Sequence, residues 1–492
     1  MSLAAALRTA QSSLMAKASQ TAVASRNIAG ASDPAYSRKL AITTTDAATG
    51  AQIVTIRRAT DQALFAKLLS STSSSAAQQA IVASLEMLEQ TVGDPEAEHS
   101  PAARITALSN AIQQFAVAPS DTVLAQAVVT EASSLADALN AATATVQQVR
   151  ADADAAIAGS VAAINDLLAQ FEALNAAVVN GSRSGADVTD ALDARDALLA
   201  RLSEEIGITT VSRSDNDIAI YTDSGISLFD IVARTVTFEP TRAYAAGTSG
   251  NAVVVDGVPL FGNGATMPIG SGRLEGLALI RDEIAVAFQT QLDEIARGLI
   301  EAFAESDQSV PATLPDVPGL FTYSGAPAIP IPGIASAGLA GEISVNANVD
   351  PGRGGSLTLL RDGGISDPGN PAYIHNASGA ASYSGLLQDY LDQLGAARAF
   401  DSGAGLGPSA TLVGFAGSSV SWLEAARAEA AQKGDYHNSL LARTSEALSN
   451  ATGVNLDNEM SILLELERSY QASSKLISAV DMMFASLLEA VG

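Results

Sequence analysis

Both ends of the chain carry apolar residues at heptad spacing. From Leu456 onward one position of every heptad is apolar (Leu456, Leu463, Tyr470, Ile477, Phe484 and Val491), and a second row three residues on supplies Leu466, Val480 and Leu487. Glu459 and Ser473 interrupt that second row. The pattern is that of a coiled-coil seam. Near the start, Leu7, Leu14, Thr21 and Ile28 repeat with the same spacing, and Leu3, Ala10 and Ala24 complete a weaker stripe. Neither helix can bury its stripe alone. The chain is therefore expected to carry two terminal helices that lie against each other or against further copies, and to act through assembly rather than through a pocket.

Between the ends the period changes several times. The first helix is expected from Leu3 to about Asn27, stopping in NIAGASDPAYSR, where Gly30 offers a left-handed cap and Pro34 forbids continuation. The Thr-rich, β-branched run from Leu40 to Arg57 reads as a short hairpin turning at Gly50. A helical tract follows from about Asp61 to Thr91. Pro119 and Ser120 open the longest one, in which Leu124, Val128, Leu135, Leu139, Val146, Val149, Ile157, Ile164, Leu168, Phe171 and Val178 keep a three-four alternation. Asn180-Gly181 is expected to end it, giving a rod of roughly 90 Å at about 1.5 Å per residue. With the tract before Thr91 and another from Ser271 to Glu305, it predicts a long helical bundle. From Ile206 to Met267 the pattern alternates (TTVSR, DIAIYTD, ISLFD, RTVTFEP, NAVVVDGVPL), and Asp256-Gly257 is a strong hairpin signal. Gln308 to Pro371 holds nine of the seventeen prolines and eleven of the 39 glycines, and reads as a small β-rich insert or loop. Helix resumes near Gly379 and again from about Thr411 to Asn450. No repeat of 20 to 50 residues is evident.

The fold class that follows is mainly α with β subdomains: terminal helices forming a coiled coil, a long helical bundle and an inserted β-rich outer region. The domains divide as 1–60 with 440–492 (terminal helical), 61–305 with 376–439 (bundle, with a β subdomain at about 206–267) and 306–375 (Pro/Gly-rich insert). Only 4% of the 492 residues are aromatic, and alanine swells the apolar fraction, which favours closely packed helices and an elongated shape.

A formal net charge of −26 argues against a nucleic-acid partner, because phosphate binding needs clustered Lys and Arg. The charge is uneven. Residues 1–68 hold eight bases against three acids, and residues 438–492 hold seven acids against three bases, so the two tails, at +5 and −4, are electrostatically complementary. With no cysteine there is neither a disulfide framework nor a thiolate metal site. No run approaches the roughly 18 apolar residues of a membrane span, so no membrane insertion is expected. The first twenty residues lack the charged start, apolar core and cleavage site of a secretory signal.

The search for chemistry returns nothing. His99, His375 and His437 are isolated and read as lone surface or core histidines; no metal, catalytic or cofactor-binding residues are assigned and no cofactor is expected. No nucleophile elbow, phosphate loop or H-E-x-x-H helix occurs. GAGLG at 403–407 fails the dinucleotide pattern at Pro408 and reads as a flexible loop. Asp215 and Asp217 lack the downstream Gly and Glu of a calcium loop. Asp152 and Asp154 read as a solvated helix face. The expectation is a structural protein, not an enzyme.

NIAGASDPAYSR after an amphipathic helix resembles the "N-I-A-N … G-Y-S-R" signature of the flagellar axial proteins of bacteria, which build rod, hook and junction. GVNLDNEMSILLELERSYQASSKLISAV resembles their C-terminal signature, here Gly453 to Leu456 and then Tyr470, Gln471, Ala472, Ser473, Lys475 and Ile477. In the middle, ALDARDALLARLSEEIGITT (191–210) and GRLEGLALIRDEIAVAFQTQLDEIARGLIEAF (272–303) are similar to segments of the hook-associated proteins that form the hook–filament junction. After Phe303 the Pro-rich stretch departs from the family, and only Gly319-Leu320-Phe321 survives of the expected pattern.

The resemblance implies a structural, extracellular subunit joining hook to filament in the machinery of motility, secreted by the flagellar type III route without a cleaved signal peptide. It implies self-association in a helical tube, with the hook protein and a second junction protein as neighbours and an export chaperone on the C-terminal helix. The assembly interface it implies comprises Leu3, Leu7, Leu14, Asn27, Ile28, Gly30 and Tyr36 at one end, and Gly453, Asn455, Leu456, Leu463, Leu466, Tyr470, Ile477, Val480, Phe484 and Leu487 at the other. Asn455 or Asp457 would cap the last helix. Two alternatives stand beside this reading: another axial protein (flagellin, rod protein or second junction protein), and an enzyme whose activity sits in the outer insert, where only His375 lies.

Overall fold

Helix α4 (Thr122–Ser184) is the spine on which the rest is hung, in a computed structural model that describes residues 3–46, 50–92, 100–262 and 264–491. Asp121, not Pro119 or Ser120, caps its start, its carboxylate accepting from the backbone N–H of Val123 and Leu124 at 2.8 and 3.3 Å. The helix runs past Asn180-Gly181 to a left-handed Gly185 (φ 75°). Gly181 is interior because its bare Cα makes room for Val188, whose Cγ1 would sit 2.4 Å from any Cβ there. At 63 residues, α4 is about 95 Å long.

Preceding α4 are α1 (Leu3–Gly30), the hairpin β1 (Lys39–Asp46) and β2 (Gly50–Arg58), α2 (Gln62–Val92) and α3 (Pro101–Val117). Gly50 opens β2, and the hairpin's turn lies outside the described residues. Helix α3 had no counterpart among the sequence expectations, although Ser100 caps it and Pro101 stands at its first turn. The other body helices are α5 (Thr189–Glu205), α6 (Arg273–Leu279) and α7 (Ala285–Ala302), with a single π turn at Ile280–Ile284 between the last two. After them come α8 (Leu339–Glu342), α9 (Leu359–Asp362), α10 (Gly385–Gly395), α11 (Leu412–Thr452) and α12 (Leu456–Val491).

Helices α2 and α11 approach closely where small residues meet: Ser75 of α2 donates to Asn438 of α11, and Gly434 of α11 lies against Gln78. Gly276 of α6 crosses α2 equally tightly, since a Cβ there would meet Ala77 O at 2.3 Å. Leu135, Leu139, Val146, Ile157 and Ile164 of α4 are fully buried, at separations of 4, 7, 11 and 7 residues that keep them on one face of the helix, as the alternation requires.

The five predicted β segments, the last folding back at Asp256-Gly257, form two three-stranded antiparallel sheets. One has the order β3 (Ile208–Ser212), β4 (Ile218–Thr222), β5 (Ser227–Phe229); the other β6 (Val236–Thr237), β7 (Val254–Val255), β8 (Val258–Pro259). Asp256 (φ 49°) and Gly257 (φ 82°) make the turn between β7 and β8, both left-handed as the Asp-Gly pair implies. Phe229 meets Phe171 of α4 edge-on at 5.0 Å.

Asp154 is a correction. Rather than facing solvent it is 2% exposed. Arg281 at the π turn donates to it at 2.7 Å, as does Tyr244 Oη, and the Thr241 N–H donates at 2.8 Å. Its neighbour Asp152 does lie on the surface. Residues 403–407 lie in the connection between two short paired strands, with Ala404 buried.

In residues 306–375 the regular structure amounts to two-residue strands, single helical turns and loops. They fasten to the body through two buried carboxylates. Asp293 of α7 accepts from the N–H groups of Gly338 and Ala340, each at 2.9 Å, and Glu305 accepts from those of Ile365 and Ser366 at 2.8 and 2.9 Å. Asn140 of α4 donates to Ala340 O and Ile343 O. Asn140 to Ser184 at about 1.5 Å per residue is some 65 Å, so this segment and the C-terminal end of α4 sit at opposite ends of the body.

Candidate assembly site

Asn27, in the last turn of α1, meets Glu459, in the first turn of α12, so the final helix runs back antiparallel along the first. Ala10, Ala16, Val23 and Ala24 of α1 are buried, as are Leu466 and Val480 of α12. Alanine at three of those positions lets the axes close up. Leu7, Leu14 and Ile28 on one side and Leu463, Ile477 and Phe484 on the other are half-buried. Leu456, Tyr470 and Leu487 stay exposed, at 49, 44 and 52%. The side chain of Leu3 lies outside the described residues. Leu464, Leu476, Met482, Met483 and Leu488 are each more than half exposed, so α12 presents a second apolar face that α1 does not cover.

Glu459, which breaks the heptad row, is 2% exposed and Asn27 is 1% exposed. Asn27 Nδ2 donates to Glu459 Oε2 at 3.1 Å and to Lys39 O at 2.9 Å; its Oδ1 accepts from Tyr36 Oη at 3.0 Å and from Lys39 N–H at 2.9 Å. Both donors and both lone pairs of the amide are thus used. Arg38 Nε donates to Glu459 Oε1 at 2.6 Å, and the Arg38 backbone bridges Thr452 O and Ala59 N. Gly30 ends α1 with helical backbone, not as a left-handed cap. Its role is contact: a Cβ there would lie 2.5 Å from Tyr36 Cδ2. Gly453 allows the break between α11 and α12, and Asn455 caps α12, its Oδ1 accepting from Asn458 N–H at 3.0 Å.

The cations of the first 60 residues find their acids mostly on α5 and the turn before it, not in the C-terminal tail as the charge balance had suggested. Arg26 bonds Asp187 and Asp190 at 2.8 Å. Arg58 bonds Asp193 at 3.0 Å and Asp196 at 2.7 Å. Lys39, whose side chain has no exposure, bonds Asp190 and lies 3.0 Å from Asp193, with the Tyr36 ring 3.9 Å from its ammonium. Arg38 with Glu459 joins end to end. The reason is geometric: helix seams are apolar, so charges collect where the hairpin foot meets the body. Burial opposes the Lys39 charge, but its aspartate partners hold the pKa above the usual value. The hydrogen bond from Lys39 in turn lowers the Asp190 pKa. Burial raises that of Asp196 despite Arg58, and desolvation lowers Arg195, behind it, to about 10.

Alongside lies a cleft of about 1670 Å³ between residues 30–37, the foot of β2, α5 and the end of α11. His375 and His437 stand apart from it, and His99 lies outside the described residues. Among the described residues no three potential metal ligands converge, and no helix is long and apolar enough to cross a membrane.

Two family profiles match the chain. "Flagellar hook-associated protein FlgK helical domain" covers residues 85–309, and "Flagellar basal body rod FlgEFG protein C-terminal" covers residues 446–490. The chain thus carries two stretches similar to flagellar axial proteins, one of them to the helical domain of a hook-associated protein. Among solved structures it is similar to the flagellar hook junction protein FlgK from Burkholderia pseudomallei, at 22% identity and a TM-score of 0.43, over 53% of this chain and 47% of that one. The match thus spans about half the length of that protein. No curated protein sequence matches. The family profiles divide the ionic site: its aspartates fall in the first match and Glu459 in the second, while Asn27 to Lys39 lie outside both.

Proposed function

We propose that this chain is a flagellar hook-associated protein, an extracellular structural subunit of the hook–filament junction, assembled through its paired terminal helices. The observation that carries the reading is the two-faced α12: one side is closed against α1, and the other offers Leu464, Leu476, Met482, Met483 and Leu488 to neighbouring copies. An uncovered apolar face of this extent needs a partner. Residues 1–60 with 440–492 would line an inner tube, residues 61–305 with 376–439 would surround it, and residues 306–375 would face outward; the roughly 65 Å of α4 between the two ends supports that order. Hook protein below and a second junction protein above are the neighbours this reading requires, and before assembly an export chaperone would cover the free face of α12. Deleting the gene tests it. Hooks without filaments, and flagellin shed into the medium, are expected; filaments on every hook would overturn it.

A further inference from the structure

The heptads of α1 and α12 do not by themselves choose a register. Leu7, Leu14 and Ile28 repeat every seven residues or a multiple of seven, as do Leu463, Ile477 and Phe484, so a slip of one heptad would again set apolar rows against apolar rows. What distinguishes the observed alignment is polar. Glu459 is buried, and its two oxygens are met by Asn27 and by Arg38, which is held in place by its own backbone bonds to Thr452 and Ala59. One heptad earlier on α1 stands Gln20, which brings no cation; one heptad later the helix has ended, at the loop containing Pro34.

We propose that Glu459 and Asn27 form a register pin, a polar pair that selects one alignment of the terminal helices from several that apolar packing would allow. Buried polar residues in coiled-coil seams specify alignment in this way at a cost in stability. The inference deepens the assembly reading: copies that stack through α12 need every exposed face at the same height, and the pin supplies that height. A slipped pair would displace the outer face by seven residues, about 10 Å.

The chain has no cysteine, so spin labels can be confined to Met15→Cys and Met482→Cys, both on exposed faces. Distances between the labels are read on the full-length chain in solution, which leaves the junction reading to stand or fall by its own deletion experiment. The parent and Glu459→Gln, which keeps an acceptor oxygen, are expected to give one narrow distance. Glu459→Leu is expected to add a population displaced by about 10 Å along the axis. Asn27→Leu with Glu459→Leu, apolar on both sides and so able to pair, is expected to do the same. A single unshifted distance in both leucine variants would overturn the proposal, as would the absence of a defined distance in the parent.

Discussion

Arg38 and Glu459 are 421 residues apart in sequence, and the Arg38 Nε lies 2.6 Å from Glu459 Oε1. Removing the arginine leaves a buried carboxylate with only the Asn27 amide for a partner. A buried acceptor deprived of its charged donor costs about 1–3 kcal/mol. Arg38→Ala is therefore expected to speed amide exchange in the first turns of α12 by roughly tenfold or more, with α4 unaffected. Unchanged exchange there would show that the pair is held by its apolar seam alone.

Gly30→Ala sets two effects against each other. Alanine in a helix is favoured over glycine by roughly 0.5–1 kcal/mol, whereas a Cβ 2.5 Å from Tyr36 Cδ2 forces the ring away from Asn27, an overpacking cost of about 1–3 kcal/mol. Net destabilisation is expected in denaturant unfolding. In a Tyr36→Ala background the same change should become neutral or stabilising, and a loss of equal size there would refute the contact as the cause.

The aspartates facing Arg26 and Lys39 give the attachment an acid limit. Asp187 and Asp190 are lowered below the ordinary carboxylate value, so their contribution is present above that value and lost as pH falls through the lower folded-state pKa. Protection of α1 should decline on acidification in that range. In Lys39→Met the Asp190 part of the decline should move to higher pH, which NMR titration of the carboxyl carbons would register.

Asp293 titrates the other way. Burial raises it to about 6 despite the Gly338 and Ala340 amides. The folded chain thus holds a proton that the unfolded chain has already lost, and stability falls as pH rises from about 4 to about 6, by on the order of 3 kcal/mol. Unfolding free energy measured across that interval should lose this slope in Asp293→Asn.

Tyr470 is 44% exposed on the isolated chain. Tyr470→Asp should leave thermal unfolding within about 0.5 kcal/mol of the parent and yet abolish incorporation, because an unpaired charge buried between copies costs several kcal/mol. Motile cells with normal filaments would contradict it.

The helices and β segments were legible wherever one periodicity ran uninterrupted: the alternation from Leu124 to Val178, the hairpin at Asp256-Gly257 and the seam of α12. Their ends were less so, since Gly181 looks like a terminator until Val188 is seen to need its space. The heart of the site was hidden for a related reason. Glu459 entered only as a flaw in a stripe, and a flaw acquires meaning from a partner 432 residues away in sequence. Asp187 to Asp196 carried no signal pointing to Arg26, Lys39 and Arg58, because ion pairs between distant segments leave no periodic trace. The resemblance marked all three segments; only the fold brings them together.

The α1–α12 pair joins two helices separated by more than 400 residues of chain, which makes it a test of whether the intervening chain is intact. Synthesis delivers α1 before α12, and among the described residues Glu459 is the carboxylate that meets both Arg38 and Asn27. A chain broken anywhere in the body can still fold fragments of the bundle. It cannot supply both halves of the seam in one molecule, so a nicked or prematurely ended subunit arrives without the surface by which it would be built in.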